Sequence, residues 1–303
     1  MKALSVTGWT FRFILLVVLF ILFFMVGSQA VAGFIPDIAS EPGVVSPETG
    51  ILVISIINTL LITGIILNSR WTGWKLALGL SFAYYGTVTF VMQIETWYFL
   101  SDLTVGAELL PRLFMMGIPV ALFFITLAVL VLGKGRRRHD LEPNYALIMP
   151  VKQWILKLGV IALIYLILYW GAGYFIAWQN PELRAFYGSP GEIQSFWLHT
   201  ANTLRTDPGL FPFQILRAML WVLFALPVIR SSISKVWGTA IMVGLLFSIP
   251  QNLSHILENP LLPIASVRFS HMIETASSTF IFGMIVVGCY TESINHLRDL
   301  FGR

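Results

Sequence analysis

Apolar positions in this chain come in long blocks, and polar residues gather in the short links between the blocks. A run of about 20 apolar residues matches the hydrocarbon core of a bilayer, which is about 30 Å thick. Inside a bilayer the backbone must satisfy its own hydrogen bonds, so continuous runs indicate helices, whereas barrel strands alternate. The pattern predicts an all-α fold, a polytopic transmembrane bundle of eight spans. They lie at about residues 13–34, 51–68, 74–100, 109–132, 154–177, 211–229, 236–258 and 267–290.

Composition agrees with the block pattern and narrows the classes of protein. The 303 residues are 57% hydrophobic and 11% charged, whereas a soluble domain carries about 25% charged residues. We therefore expect one integral membrane domain over residues 1–303 and no soluble domain. The single cysteine, Cys289, excludes an intrachain disulfide and a thiolate metal site. Nucleotide-binding and hydrolase motifs are absent from the sequence, so the expected partners are the lipid bilayer and a lipid-linked substrate, with no nucleic acid and no nucleotide.

Charge in the links predicts how the chain is oriented. The links after spans two, four and six and both termini hold most of the lysine and arginine, with the strongest cluster at Lys134–His139. The links after spans one, three, five and seven are acidic or balanced. By the positive-inside rule, both termini are cytoplasmic. The predicted location is the plasma or inner membrane of a cell, which the chain crosses several times.

The first apolar run has two interpretations. Its basic start, its core Phe13–Met25 and the small residues Ala30-Val31-Ala32 are typical of a cleaved signal peptide. The run is also long enough to span a bilayer, and we favour a retained helix. In both cases residues 35–50, which contain no basic residue, lie outside.

The longest polar link, residues 179–211, predicts two short helices. Asn180-Pro181 is a typical helix start, and Gly188 is placed to end that helix. Ser189-Pro190-Gly191-Glu192 reads as a capping box that opens a second helix over about 190–206, between spans five and six. One face of this helix would be mostly apolar, which predicts an amphipathic helix lying on the membrane surface. Its members are Ile193, Phe196, Trp197, Thr200 and Leu204.

One polar phrase occurs twice in the helical hairpin 247–280. It reads Ser254-His255-x-x-Glu258 and then Ser270-His271-x-x-Glu274. Positions i and i+3 share a helix face, so each phrase directs an imidazole and a carboxylate the same way.

Other spans bring charged residues to a similar depth. Counting 1.5 Å per helical residue places the two phrases in the outer third of the membrane. The same count places Gln93, Glu95, Arg112, Gln214, Arg217 and Arg268 near them. A charged side chain in a membrane costs about 2.5–3.5 kcal/mol and marks a functional site by default. Pairing among these charges would lower that cost, so we predict that Glu95, Arg217, Glu258, Glu274 and Arg268 pair with one another.

These residues support several kinds of site. His255, Glu258, His271 and Glu274 offer nitrogen and oxygen ligands for a divalent metal such as zinc. Two histidines on neighbouring helices are also a pattern that holds haem. The simplest alternative is a buried network of ion pairs and hydrogen bonds that holds the bundle together.

Three functions follow from the cluster. The leading hypothesis is a membrane-embedded, metal-dependent enzyme that acts on a lipid or lipid-linked substrate at the outer leaflet. His271 or Glu274 would be the general acid or base, Glu95 and Glu258 charge or metal partners, and Arg217 an anchor for an anionic group. The alternatives are a proton-coupled transporter and a structural or accessory subunit. An enzyme predicts a cavity that opens outward only, a transporter predicts polar lining across the whole membrane, and a structural role predicts paired charges without a cavity.

Overall fold

The computed structural model describes residues 6–101, 103–136 and 147–291, and over these ranges the chain forms helices and no β-strand. Eight helices are long and apolar enough to cross a membrane, which confirms the predicted all-α class and number of spans. Spans one to eight are Val6–Ser28, Pro47–Leu67, Gly73–Leu100, Leu109–Val131, Val151–Gln179, Leu210–Ser231, Val236–Ile256 and Ala265–Tyr290.

Span one differs most from the predicted bounds, because it begins and ends earlier than the run 13–34. Its early start includes polar residues, and the Thr10 hydroxyl is satisfied by the Val6 carbonyl one turn back. After Ser28 the chain forms turns, and Gly33 takes a positive φ of 79° that a helix does not tolerate.

Four links meet at one end of the bundle, which we call the site end. They are residues 29–46, 103–108, 180–209 and 257–264. Hydrogen bonds connect the first two of these links to residues 261–265. Glu41 of the first link accepts at Oε2 from the Ala265 amide at 2.7 Å. Thr104 of the second link donates from Oγ1 to the Leu261 carbonyl at 2.8 Å.

At the opposite end, Arg70 donates to the Ser232 carbonyl at 2.8 Å. The cytoplasmic side of the bundle stays a prediction. Arg137, Arg138 and the tail after Thr291, which contributed to that prediction, lie outside the described residues.

Spans seven and eight pack closely because two glycines face each other. A Cβ built on Gly283 would lie 2.8 Å from the Gly244 Cα, which is backbone and cannot move aside. Toward the site end the same spans bury aromatic rings, with Phe247 and Phe282 centroids 6.1 Å apart. The close approach aligns the two helices that carry the repeated phrases.

We expect Gly283→Ala to lower the free energy of unfolding by about 1–3 kcal/mol, the usual cost of overpacking a close helix contact. Gly288→Ala on the same helix is the matched control, since a Cβ there meets no atom of the described residues within 4 Å. The control should be neutral or stabilising because alanine favours a helix over glycine by about 1 kcal/mol. Unfolding in mixed micelles compares the variants, and equal effects of the two would contradict the close contact.

Spans three and four each contain one π-helical turn, at Gly86–Phe90 and Pro119–Phe124. A π turn adds a residue to the helical repeat, changes which face the later side chains occupy, and is frequent at functional sites. The turn in span three comes directly before Gln93 and Glu95, so it helps set the face that carries them. The two spans approach closely here, since a Cβ on Gly117 would overlap the Thr89 hydroxyl at 1.9 Å.

Candidate functional site

A bidentate ion pair joins spans three and six. Arg217 donates from Nη1 to Glu95 Oε1 at 2.7 Å and from Nη2 to Glu95 Oε2 at 2.5 Å. Arg217 Nη1 also donates to Gln214 Oε1 at 2.9 Å, one helical turn away on span six. The Arg217 side chain is 2% exposed and that of Glu95 is 24% exposed. The predicted pairing of Glu95 with Arg217 is confirmed.

The second of the repeated phrases also keeps its predicted geometry. His271 Nδ1 lies 3.4 Å from Glu274 Oε2, one turn apart on span eight. The Thr275 hydroxyl lies at the same distance from that oxygen. The Glu274 side chain is 9% exposed, so the carboxylate is largely shielded from solvent.

Tyr187 extends this pair, and sequence reasoning missed it. Its hydroxyl lies 2.9 Å from His271 Nε2, and the two rings meet edge to face with centroids 5.7 Å apart. In the tautomer whose Nδ1 proton faces Glu274, Nε2 accepts the phenol proton. Burial, and then the nearby Glu95 and Glu274, raise the pKa of Tyr187, so its phenol keeps its proton. The three side chains form a carboxylate–imidazole–phenol relay, which we call the relay.

The short helix Pro181–Phe186 places Tyr187 over span eight. Asn180 caps it as predicted, because its Oδ1 accepts from the Glu182 and Leu183 amides. The Asn180 amide group also donates to Ser270 Oγ on span eight at 3.0 Å. Gly188 ends the turn with a positive φ of 75°, as its position in the sequence predicted.

Arg184 holds the rest of this segment. Its guanidinium is buried and donates to the Trp178 carbonyl at 2.7 Å and to the Gly191 carbonyl at 3.0 Å. One arginine thereby closes the loop that carries Tyr187, and it fixes the phenol relative to span eight.

The second short helix begins later than predicted, at Phe196, and ends at Thr206. The predicted capping box fails because Gly191 takes a φ of 112°, so residues 191 and 192 bend away from a helix. We call Phe196–Thr206 the loop helix. Trp197, Leu198 and Leu204 are 78%, 51% and 53% exposed. Membrane contact through this exposed apolar face stays a prediction.

Bonds to spans three and five fix the loop helix and its flanks. Trp170 Nε1 donates to Thr200 Oγ1 at 2.8 Å, and the Tyr98 hydroxyl donates to Asp207 Oδ1 at 2.6 Å. The His199 ring lies flat against Trp170, with centroids 5.0 Å apart, and burial lowers the pKa of His199. The loop helix is therefore attached at several points over the site end.

His255 and Gln251 on span seven line the same wall as the relay residues His271 and Glu274. The His255 and His271 ring centroids are 6.5 Å apart. Within the described residues, His255 Nδ1 and both polar atoms of the Gln251 amide are buried and have no hydrogen-bond partner. Gln251 is only 7% exposed. Buried polar atoms normally have hydrogen-bond partners, so this wall contains hydrogen-bonding groups that the described residues leave unsatisfied.

The first repeated phrase does not form the predicted pair. The helical part of span seven ends at Ile256, and Leu257 is extended with φ −89° and ψ 159°. Pro260 disfavours helical conformation in the residue before it and removes an amide, so the helix stops short of Glu258. Glu258 is exposed and accepts a hydrogen bond from Ser40 instead of facing His255.

Arg268, which we expected in the charge network, and Arg112, which the helical count placed at a similar depth, both make other contacts. Arg268 donates four hydrogen bonds, all to backbone carbonyls and none to a carboxylate. Arg112 lies over the Phe34 ring, 3.4 Å from its centroid, in a cation–π contact. The predicted pairing therefore holds for Glu95 with Arg217 and fails for Arg268 and Glu258.

The predicted metal ligands do not form one group. Across the three described ranges, no set of three or more His, Cys, Asp or Glu side chains is arranged to hold a metal ion. His271 already contacts Glu274 and Tyr187, and Glu258 contacts Ser40. The four side chains of the predicted set, His255, Glu258, His271 and Glu274, are therefore not brought together among the described residues, and metal binding stays a prediction.

A cavity of about 1130 Å³ opens among the spans on the side of the relay. Its polar wall includes Glu95, Gln251, His255, His271 and Glu274. Tyr187 and the loop helix contribute to the same lining. The volume slightly exceeds the usual range for small-molecule sites, about 300–1,000 Å³.

Arg217 is not part of the cavity lining, in contrast to its predicted role as an anion anchor. Both of its terminal nitrogens are bonded to Glu95, which separates the guanidinium from the cavity. A void of about 10 Å³ lies between this pair and Glu274, bordered by Tyr165 and Tyr169. Glu95 and Glu274 thus approach the same space from spans three and eight.

Comparisons with protein-family models, with curated proteins and with solved structures find no match to this chain.

Proposed function

We propose that this protein is a membrane-embedded enzyme that binds a lipid or lipid-linked substrate in the cavity and transfers a proton to or from it through the relay. The observation that carries the proposal is the position of Tyr187, His271 and Glu274 together on the wall of one large cavity. A structural network would use its polar groups on each other, whereas among the described residues the Gln251 amide of this wall has no hydrogen-bond partner.

Each member of the relay has a distinct chemical task. Tyr187 is the hydroxyl that meets an oxygen of the substrate and exchanges a proton with it. His271 Nε2 takes or returns that proton, and Glu274 stabilises the imidazolium and holds the ring in place. Gln251 supplies hydrogen bonds that orient the polar part of the substrate. Glu95 adds negative charge, and Arg217 positions it.

The shape of the cavity favours an enzyme over a transporter. Its deep lining residues include Asn58 on span two and Val120 on span four, each eleven residues from the site end of its span, which is about 16 Å at 1.5 Å per residue. Tyr84 on span three also lines the cavity; it lies eleven residues from the opposite end of that span, and its hydroxyl donates to Asn58. Lining that ends near the middle of a membrane supports access from one side. With the positive-inside orientation, that side is the outer leaflet of the plasma or inner membrane.

We expect Glu274→Gln and Tyr187→Phe each to lower turnover by about 10²–10⁴-fold, the usual contribution of a general acid or base. The protein is placed in nanodiscs made from lipids of its source membrane, and lipid species are followed by liquid chromatography and mass spectrometry. Glu108→Gln is the control, because it removes a carboxylate at the site end that does not line the cavity.

The outcomes separate the three functions. Lipid conversion by wild type and Glu108→Gln, with loss in the two relay variants and unchanged thermal midpoints, is the result we expect. Movement of an unaltered lipid or solute between the two sides would favour a transporter instead. No conversion together with a lower midpoint for Glu274→Gln would favour a structural network and would refute the enzyme.

A further inference from the structure

The cavity has two chemically different parts. The part described above, next to the relay, carries carboxylates, imidazoles and amides. A second part extends from there toward the middle of the bundle between spans one to four, and we call it the apolar arm. Its lining is mostly hydrocarbon and thioether, with Thr89 and Gln93 as polar side chains on span three; the apolar members are Phe20, Phe24, Ile54, Val88, Met92, Leu113, Met116 and Val120.

A hydrogen-bonded pair marks the deep end of the apolar arm. The Tyr84 hydroxyl donates to Asn58 Oδ1 at 2.8 Å, and Asn58 Nδ2 donates to the Ile54 carbonyl at 2.9 Å. Asn58 and Tyr84 are 1% and 4% exposed. Each of these polar groups has a protein partner, so this floor has less need of a hydrogen bond from a ligand than the wall beside the relay, and it ends the arm.

We propose that the apolar arm holds one hydrocarbon chain of a membrane lipid, with the polar end of that lipid beside the relay and the Asn58–Tyr84 floor limiting the chain length. This inference rests on the proposed function for the polar end, but chain binding itself requires no turnover. The depth of about 16 Å matches half of a hydrocarbon core of about 30 Å. The end of a hydrocarbon chain bound in the arm would therefore lie at about the same depth as the end of a lipid chain in one leaflet, near the middle of the bilayer.

Photo-crosslinking tests the position of the chain. The full-length protein is placed in phosphatidylglycerol nanodiscs that contain a phosphatidylglycerol probe with a diazirine at the end of one acyl chain. A parallel sample contains a polyprenyl phosphate with a terminal diazirine. Labelling of Met116, Val120 or Tyr84 by one probe supports the proposal and identifies the source of the chain. Labelling of only outward-facing residues such as Leu122 and Phe123, which are 46% and 55% exposed, would overturn it.

Variants that fill the arm make the test specific. Val120→Trp should reduce labelling of Tyr84 by at least tenfold, and Val88→Phe is a milder second variant if the first folds poorly. Leu122→Trp, on the same helix but facing outward, is the matched control and should leave labelling unchanged. Equal labelling in the filled and control variants would overturn the proposal.

The two proposals can fail separately. Glu274→Gln should retain deep labelling, because the chain binds without proton transfer. Deep labelling without lipid conversion in the wild type would refute the proposed enzyme activity and support the binding site for the hydrocarbon chain. Lipid conversion without deep labelling would refute the binding site for the hydrocarbon chain and support the enzyme activity.

Discussion

Replacing Glu95 with leucine should lower the free energy of unfolding by about 3–5 kcal/mol, the usual cost of removing one partner of a buried ion pair. Arg217 would keep its charge at 2% exposure and lose both hydrogen bonds to the carboxylate. Gln214 Oε1 would be its one remaining side-chain acceptor among the described residues. The measurement is reversible unfolding in mixed micelles, followed by circular dichroism.

The double variant Glu95→Leu/Arg217→Leu is the control for this effect. Removing both charges leaves no unpaired ion, and apolar replacements of buried pairs are often neutral. The double variant should therefore be markedly more stable than Glu95→Leu alone. If the stability losses of the single variants Glu95→Leu and Arg217→Leu simply add up to that of the double variant, the two residues do not act as a unit. That result would contradict the role of the pair in holding spans three and six together.

Arg268→Met should be the second strongly destabilising change, by about 3 kcal/mol or more, since hydrogen bonds to charged groups contribute about 1.5–3 kcal/mol each. Arg268 is 1% exposed and donates to the carbonyls of Leu262 and Pro263 and, across the fold, to those of Glu41 and Pro42. Methionine keeps most of the volume and removes all four bonds. Hydrogen exchange should rise in residues 36–46, the segment that Arg268 fastens.

Arg205→Met is the matched control, because Arg205 is exposed on the loop helix at the same end of the bundle. A surface change of this kind usually alters stability by no more than about 0.5 kcal/mol. Equal stability of the two variants, with unchanged exchange in residues 36–46, would contradict the role of Arg268 as the fastening of this link.

The parts of the site that lie along one helix could be predicted from the sequence. The long apolar runs predict eight spans, because a segment that crosses a bilayer must be apolar and must satisfy its own backbone hydrogen bonds. Helical spacing gives the contact between His271 and Glu274. The cost of buried charge gives the pairing of Glu95 with Arg217, although their spans are far apart in the chain.

The parts of the site that depend on loops could not be predicted. Tyr187 lies 84 positions before His271, and its place depends on the Asn180 cap and the closure of the loop by Arg184. The repeated Ser-His-x-x-Glu phrase predicts the wrong contact for Glu258, because the helix ends before that residue. Arg268 shows that a buried arginine can be satisfied by carbonyls alone, which charge counting does not anticipate.

Electron cryomicroscopy of the Glu274→Gln variant in nanodiscs of its source lipids tests the central claim most directly, because loss of proton transfer should trap the bound substrate. We predict elongated density in the cavity that runs from Tyr187 and His271 to the Asn58–Tyr84 floor. A cavity that is closed by side chains, or one that holds only water while Tyr187 lies away from His271, would contradict the proposed lipid enzyme.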